Sequence, residues 1–565
     1  MIKRATIVAV AAVLMTASPL RSQTAGPTPT PTPTPSPAPT PIPTLTPSPT
    51  AALTLTLEDA VRRAIDHNPE LSIVRLGTEV EAAQVGASES AYAPVFSTTL
   101  GRSSTVTPPS NFLLGTSGVD TRDWFSSTGV RQRVPWGSGT WSVSWDAART
   151  TSNSPLNSFD PSVQSGVQFA FSQPLLRDRK IDAARQQIVI AKRNQESSEF
   201  RFRESVVQTV ASVKQAYWTL KALRANVTLQ ESSLDLAQKL AKENEVRVRV
   251  GQAPPLDLVQ VEAEVADRRE GLIRARAAAE DGEDRLRRLI MDPHDASFWQ
   301  VRIDPADEPA GRDPLPDLDA IVAKAIDGRY DVARARNDVA NAATSVEYFG
   351  NQKLPDVRLE TSYRGSGLGG SQLLRTGVFP GVITGRADSG FGDVLGQVFG
   401  RDYPTWSFGL TVSYPLGHSY EELSAVRAGV ERRQAAARVA SLQLDVAAAL
   451  RQAARQIRST AEREDAARAG AALAAERSRD EQRRYEAGLS TSFLVTQAQR
   501  DLLQAQVSLL QATFDYQSSL VNFEALQLAP PLTAGESIAL QGSNVVPLPT
   551  PAPRGLFRPG AGTGF

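Results

Sequence analysis

Few residues in this sequence could carry out a reaction. Only His67, His294 and His418 supply imidazole, and no two of them are close in the chain. That spacing sets up neither a zinc site nor a Ser-His-Asp triad. Cysteine is absent, which removes disulfides, thiolate ligands, sulfur nucleophiles and lipid attachment at an N-terminal Cys. Glu58 and Asp59 are adjacent carboxylates, but at a helix start they simply favour the positive end of the dipole. The 61 Lys and Arg balance 61 Asp and Glu and are interleaved with them, so nothing resembles a nucleic-acid footprint. These residues imply no catalysis, no cofactor and no metal, and function has to be sought in the patterning of the elements.

Lys3 and Arg4 precede an apolar run from Ala5 to Met15, too short to span a bilayer. This reads as a Sec-type signal peptide over residues 1–25. From Pro27 to Thr50 proline alternates with Thr, Ser and Ala, which makes residues 26–52 a semi-rigid polyproline II spacer. No later stretch has the ~18 unbroken apolar residues of a membrane helix. A membrane crossing by the mature chain would therefore use β-strands.

The strongest signal is an internal repeat. Leu57 to Asp66 matches Leu318 to Asp327 without a gap, and in that register Glu70 meets Asp331, Arg75 meets Arg336 and Pro94 meets Pro355. Gln173-Pro174-Leu175 and Tyr414-Pro415-Leu416 each precede a long helical segment, and those segments break at Gly251 and Gly488. The expected first unit covers 53–317: a helix, a strand region at 93–176, a long helix at 180–250, a helix at 255–290 and a belt segment at 291–317. The second covers 318–528: a helix, a strand region at 355–416, a long helix at 420–487 and a helix at 491–528. A Pro- and Gly-rich tail, 529–565, is expected to be disordered.

Within the strand regions the period becomes two. Trp406, Phe408, Leu410, Val412 and Tyr414 alternate with Ser407, Gly409, Thr411 and Ser413, Val167, Phe169 and Phe171 alternate with Gln168, Ala170 and Ser172, and Phe96, Thr98 and Leu100 behave likewise. About 10 residues of this pattern suit a tilted strand crossing an outer membrane. A soluble hairpin with one face on a core has the same alternation. Tyr92, Trp124, Trp136, Trp141, Trp406 and Tyr414 fall where interfacial aromatic girdles would lie. The Gly-rich stretch from Gly365 to Arg401 reads as a long extracellular loop. A further hairpin, Gly129–Val134 and Thr140–Trp145 about a turn at residues 135–139, adds two strands to the wall or lies beyond the membrane. The unit count is then six strands or four.

The helices are outliers in length. Residues 181–250 contain no Pro or Gly before Gly251, or about 105 Å at 1.5 Å per residue. Val206, Val210, Val213, Tyr217, Leu220, Leu223 and Val227 form one apolar stripe, and Leu503, Val507, Leu510, Phe514 and Val521 another. That is coiled-coil spacing. Gly251 to Asp257 and Gly488 to Phe493 read as helix returns, with Ser490 or Thr491 able to cap the second.

The order of these motifs resembles the outer membrane efflux protein family, whose best-known member is TolC. The resemblance covers roughly Leu55 to Leu528 and rests on Ala64-Ile65-Asp66-His67-Asn68-Pro69-Glu70-Leu71, the Gln-Pro-Leu and Tyr-Pro-Leu strand exits and the paired glycine tips. It implies an α+β membrane protein, in which long coiled-coil-like helices form an α-barrel. Antiparallel strands form a trimeric transmembrane β-barrel. It implies a homotrimer embedded in outer-membrane lipid, its helices in the periplasm, docking an adaptor protein served by an inner-membrane transporter. Gly251, Pro254, Asp257, Gly488, Ser490 and Phe493 become adaptor contacts. Pro94, Pro174, Pro355 and Pro415 become barrel–helix transitions, and Val167, Phe169, Trp406, Phe408, Leu410 and Val412 lipid-facing positions. Asp257 matches an acidic family position six residues after the tip glycine, whereas the second unit has Leu494 there and Gln497 at the next acidic place. The expected function is passive conduction in a tripartite efflux or type I secretion system. The alternative is an outer-membrane-anchored coiled-coil structural protein or adhesin.

Overall fold

A computed structural model describes residues 52–108, 118–292, 294, 295, 299–309, 311, 317–378, 381–417 and 419–531. The expected signal peptide, the spacer up to residue 51, part of the belt segment, His418 and the tail from 532 lie outside the described residues.

From Ala52 the chain combines long helices with an antiparallel sheet, the α+β class expected. Strand β1 (Ala52–Leu55) leads into α1 (Leu57–His67) and α2 (Pro69–Glu89). Four strands follow: β2 (Val95–Thr107), β3 (Val119–Arg133), β4 (Thr140–Ser152) and β5 (Phe159–Pro174). Then come α3 (Ala183–Arg249), α4 (Pro255–Ile290) and the short β6 (Arg302–Pro305). The second unit runs α5 (Leu318–Gly328), α6 (Tyr330–Gln352), β7 (Asp356–Thr376), β8 (Val382–Ser389) and α7 (Phe391–Gly400). It continues through β9 (Tyr403–Ser413) and α8 (Tyr420–Glu486) to α9 (Ser492–Leu526). No helix among the described residues is long and apolar enough to cross a membrane.

Local chemistry explains the helix boundaries. Asn68 ends α1 and caps α2, its side-chain oxygen accepting from the backbone N–H of Glu70 and Leu71, with Pro69 at the first helical position. At the equivalent junction of the second unit, Arg329 forks onto Asp331 at 2.7 and 2.9 Å. The two longest helices have 67 residues each, about 100 Å of rise. Asp182 caps α3 and Ser419 caps α8, and arginines close the last turn of both.

Beside the sheet the helices lie in the order α2, α3, α6, α8, and toward the tips in the order α4, α3, α9, α8. Their facing stripes form three apolar cores. One joins Leu55, Val213, Tyr217, Leu220, Leu286 and Ile303. Another joins Val332, Val446, Leu450, Ile457 and Phe523. The third, at the tips, joins Leu240, Val261, Tyr485 and Val495. The described belt residues enter the first core, because β6 pairs in parallel with β1, a strand that sequence periodicity missed. Tyr217 lies beneath this pair, its hydroxyl 2.9 Å from the Asp307 carboxylate. Burial pushes that phenol up to about 12.

The sheet order is β2-β3-β4-β5-β7, with β9 and β8 sharing the far side of β7. The additional hairpin is thus part of the sheet, and its strands run well past the expected limits. Six strands span the part nearest the helices, while β8 pairs only with residues 370–376 of β7. The stretch from Gly365 to Arg401 is not a loop. It completes β7 and forms β8 and α7.

Candidate functional site

The register sorts the strand residues into two chemically different faces. Phe96, Val130, Val143, Phe169, Tyr363 and Trp406 are successive cross-strand partners in one row. The next row brings Trp141, Phe171, Thr361 and Phe408 together, and beyond it Leu359 faces Leu410 and Val357 faces Val412. Val167, Phe169, Trp406, Phe408, Leu410 and Val412 therefore share one face, as even spacing within each strand requires. That face is bare: Trp406 is 74% exposed and Phe408 is 69% exposed. Toward its far end Arg102 lies 5.1 Å over the Trp124 ring.

The opposite face is polar and cross-linked. Ser127 donates to Asp146 at 2.6 Å, Arg364 donates to Asp146 and Gln168, and Thr150 donates to Asp123 at 2.6 Å. Ser362 and Ser407 share a hydrogen bond of 2.7 Å. A soluble hairpin would bury its apolar face; here that face is largely open, the Asp146–Arg364 pair lies on the polar one, and toward the far end the Asp120–Arg122 pair shares the side of Trp124.

All four prolines stand where sheet meets helix. Pro94 and Pro355 immediately precede β2 and β7, Pro174 ends β5, and Pro415 follows β9 by two residues. A polar network that sequence reasoning missed ties this junction together. The turn of the β3–β4 hairpin uses Gly137 at φ +75° and Ser138 at φ +57°. The buried Ser138 hydroxyl sits 2.7 Å from both the Asp178 carbonyl and the Asp182 carboxylate. Gln173 donates to the Gly137 carbonyl at 2.6 Å, and Arg185 to that of Pro135 at 3.0 Å. The inserted hairpin is thereby fixed to the N-cap of α3.

At the far end, α7 rests on the apolar face of β7. A Cβ at Gly367 would meet the Val394 carbonyl oxygen at 2.3 Å, and one at Gly369 the Val394 side chain at 2.6 Å. Between the segments of β7 that pair with β9 and β8, Leu368 has no strand partner on that side. The Gln397 carboxamide takes the place of one, accepting from the Leu368 N–H at 2.9 Å and donating to its carbonyl at 3.2 Å.

The two helix returns are also brought together. Gly251 and Gly488 adopt φ of +78° and +75°, and in each the following N–H reaches back to close the helix end. Pro254 precedes α4 and Asp257 lies in its first turn. The capping expectation for the second tip needs correction. Thr491 holds the N-cap position without a side-chain bond, and Ser490 donates instead to Glu481. Arg247 stacks 4.1 Å over the Tyr485 ring, whose buried hydroxyl donates to Asn244. Leu256, Leu489 and Phe493 remain exposed. Phe493, Gln497, Arg500 and Gln260 line a groove of about 590 Å³ between α4 and α9. Beside it Glu264 is buried, and burial alone would raise its pKa. Hydrogen bonds from Arg500 and Arg268 outweigh that and hold the carboxyl below its usual range.

The model of the outer membrane efflux protein family matches residues 60–290 and 321–527. The chain belongs to the outer membrane efflux protein family. No curated protein sequence matches it. Among solved structures, CusC is 12% identical with a TM-score of 0.61 over 85% of this chain and 94% of that one. The CmeC outer membrane channel of Campylobacter jejuni is 15% identical, with a TM-score of 0.57 over 83% and 85%. The open MtrE outer membrane channel of Neisseria gonorrhoeae is 16% identical, with a TM-score of 0.56 over 84% and 89%. At these identities the likeness is one of fold, and this efflux-family chain shares it along most of its length.

Proposed function

We propose that this chain is the outer-membrane channel of a tripartite efflux or type I secretion system and conducts solutes passively without catalysing a reaction. The observation that carries the reading is the sheet's division into an open apolar face and a polar, ion-paired one. Such a sheet suits lipid on one side and water on the other, provided its edges are closed.

Three copies would close it. The edge strand β2 continues from the edge helix α2, and the edge strand β9 continues into the edge helix α8. Ile73, Leu76 and Val80 on α2, and Leu423, Val426 and Val430 on α8, are exposed apolar stripes of the same i, i+3, i+7 spacing. Joining α2 to α8 and β2 to β9 between copies covers both. The helices would then stand in the periplasm. Their tips, with Gly251, Pro254, Asp257, Gly488, Ser490 and Phe493, would meet an adaptor protein joined to an inner-membrane transporter, which supplies the energy.

The test is extraction and reconstitution. Full-length protein should require detergent, run as trimers by light scattering and conduct in planar bilayers once the tips open. Stable monomers in detergent-free buffer would overturn the reading.

A further inference from the structure

Two arginines stand on the apolar face of the sheet with no carboxylate to meet them. Arg102, Trp124 and Arg149 are successive cross-strand partners on β2, β3 and β4, so the two guanidiniums flank the indole in a single row. Neither arginine has an acidic partner among the described residues, whereas Arg122 on the same face is neutralised by Asp120 at 2.6 Å. One row nearer the helices, Leu100, Ser126 and Ala147 are partners, and the two small side chains leave a hollow. Leu100 on one side and Phe391 of α7 on the other wall a groove of about 600 Å³. Phe391 reaches it because α7 packs on Gly367 and Gly369. The elaboration of the second unit therefore completes a groove whose floor is the inserted hairpin of the first.

An arginine facing hydrocarbon is destabilising, and the penalty falls toward the headgroups. Arg102 stands eight residues beyond Pro94, or about 20 Å along the barrel axis for a strand tilted by about 40°. With the helices in the periplasm, the row reaches the outer-leaflet edge of an apolar band about 25 Å tall.

We infer that the Arg102–Trp124–Arg149 row and the groove beside it bind a phosphorylated glycolipid of the outer leaflet on the outside of the barrel. This rests on the channel reading, which puts lipid against this face, and goes beyond it by assigning a specific lipid contact. Guanidinium forks pair bidentately with phosphate oxygens. Two strand spacings, about 10 Å, separate the backbones of Arg102 and Arg149, and the indole stands between them. They thus present two anion positions, which suits a sugar backbone with two phosphates. Trp124 has the amphipathic ring that favours the headgroup level. An acyl chain descending from that headgroup enters the hollow over Ser126 and Ala147, between Leu100 and Phe391.

Native mass spectrometry reads the contact directly, with the full-length trimer in a phosphate-free maltoside detergent titrated with diphosphoryl lipid A. Each copy should hold one lipid A. Arg102→Gln/Arg149→Gln should bind it at least about tenfold more weakly, and wild type should lose as much with lipid A stripped of both phosphates. Arg274→Gln, which removes an exposed helical arginine paired with Glu270, should bind as wild type does. Equal binding by wild type and the double variant, or of the stripped lipid, would overturn the inference, while the trimer leaves the channel reading standing. Displacement of the lipid by inorganic phosphate, or equally tight binding of phosphatidylglycerol, would overturn the glycolipid assignment. Should the double variant fail to assemble, Arg102→Gln and Arg149→Gln singly carry the same test, each with weakened binding expected. A stable monomer needing no detergent would overturn both readings.

Discussion

The strand regions of the two units grow from equivalent helices yet are built differently. In the first, four strands cross the sheet and the added hairpin is tied down at the helix end by Ser138 and Asp182. In the second, two strands cross, and the elaboration sits at the far end, where β8 and α7 complete β7. Both ends of each region return to the helices, so the sheet can gain strands only in pairs. A fixed helical frame tolerates such additions when the new turn is anchored and the new faces continue the old ones.

Breaking the elaboration of the second region should have the largest local effect. Gly367→Val drives a β-branched side chain into the Val394 backbone, and overpacking of this kind costs about 1–3 kcal/mol. Detachment of α7 should make the 386–401 segment at least tenfold more sensitive to trypsin. Gly409→Ala on β9, with open space around it, should leave cleavage unchanged.

The anchored turn offers the next contrast. Asp182→Ala removes a buried cap that also holds the hairpin, for about 2 kcal/mol. Ser419→Ala removes the exposed cap of α8, for about 0.5–1 kcal/mol. Thermal unfolding in detergent should rank them in that order, and equal shifts would show that the hairpin gains nothing from its anchor.

The two tips differ as well. Glu264 occupies the place that Asp501 holds in the second unit, counting from each tip glycine. Glu264 is buried between Arg268 and Arg500, whereas Asp501 meets Arg477 near the surface. Because the folded pKa of Glu264 is depressed, its contribution is complete above the ordinary carboxylate value, about 4.3, and is lost as pH falls through the lower folded one. Glu264→Gln should flatten that acid limb of a stability–pH curve, and Asp501→Asn should not. The smallest difference between the two units should come from Gly251→Ala and Gly488→Ala. Each places a Cβ at positive φ with nothing near it, at about 1 kcal/mol by chemical denaturation.

Much of this frame was legible in the sequence because it rests on local periodicity. The 3.6-residue stripes and tip glycines marked the long helices, and alternation placed Trp406 through Val412 on one face. Whether the hairpin joined the sheet was not legible, since alternation does not specify which strand is the neighbour. Gly365, Gly367 and Gly369 read as a loop because glycine weakens strand patterns, yet they are the floor beneath α7. The Ser138–Asp182 contact and the β1–β6 pair join residues 44 and 250 positions apart in sequence. No local pattern carries such contacts.

A channel of this kind requires lipid against one face of the sheet and water against the other. Since the chain has no cysteine, single replacements at residues 406 to 412 can each carry a fluorophore in proteoliposomes. Positions 406, 408, 410 and 412 should be quenched by nitroxide lipids, and 407, 409 and 411 by aqueous iodide. Iodide quenching of both sets alike, with no response to the lipid quencher, would contradict it.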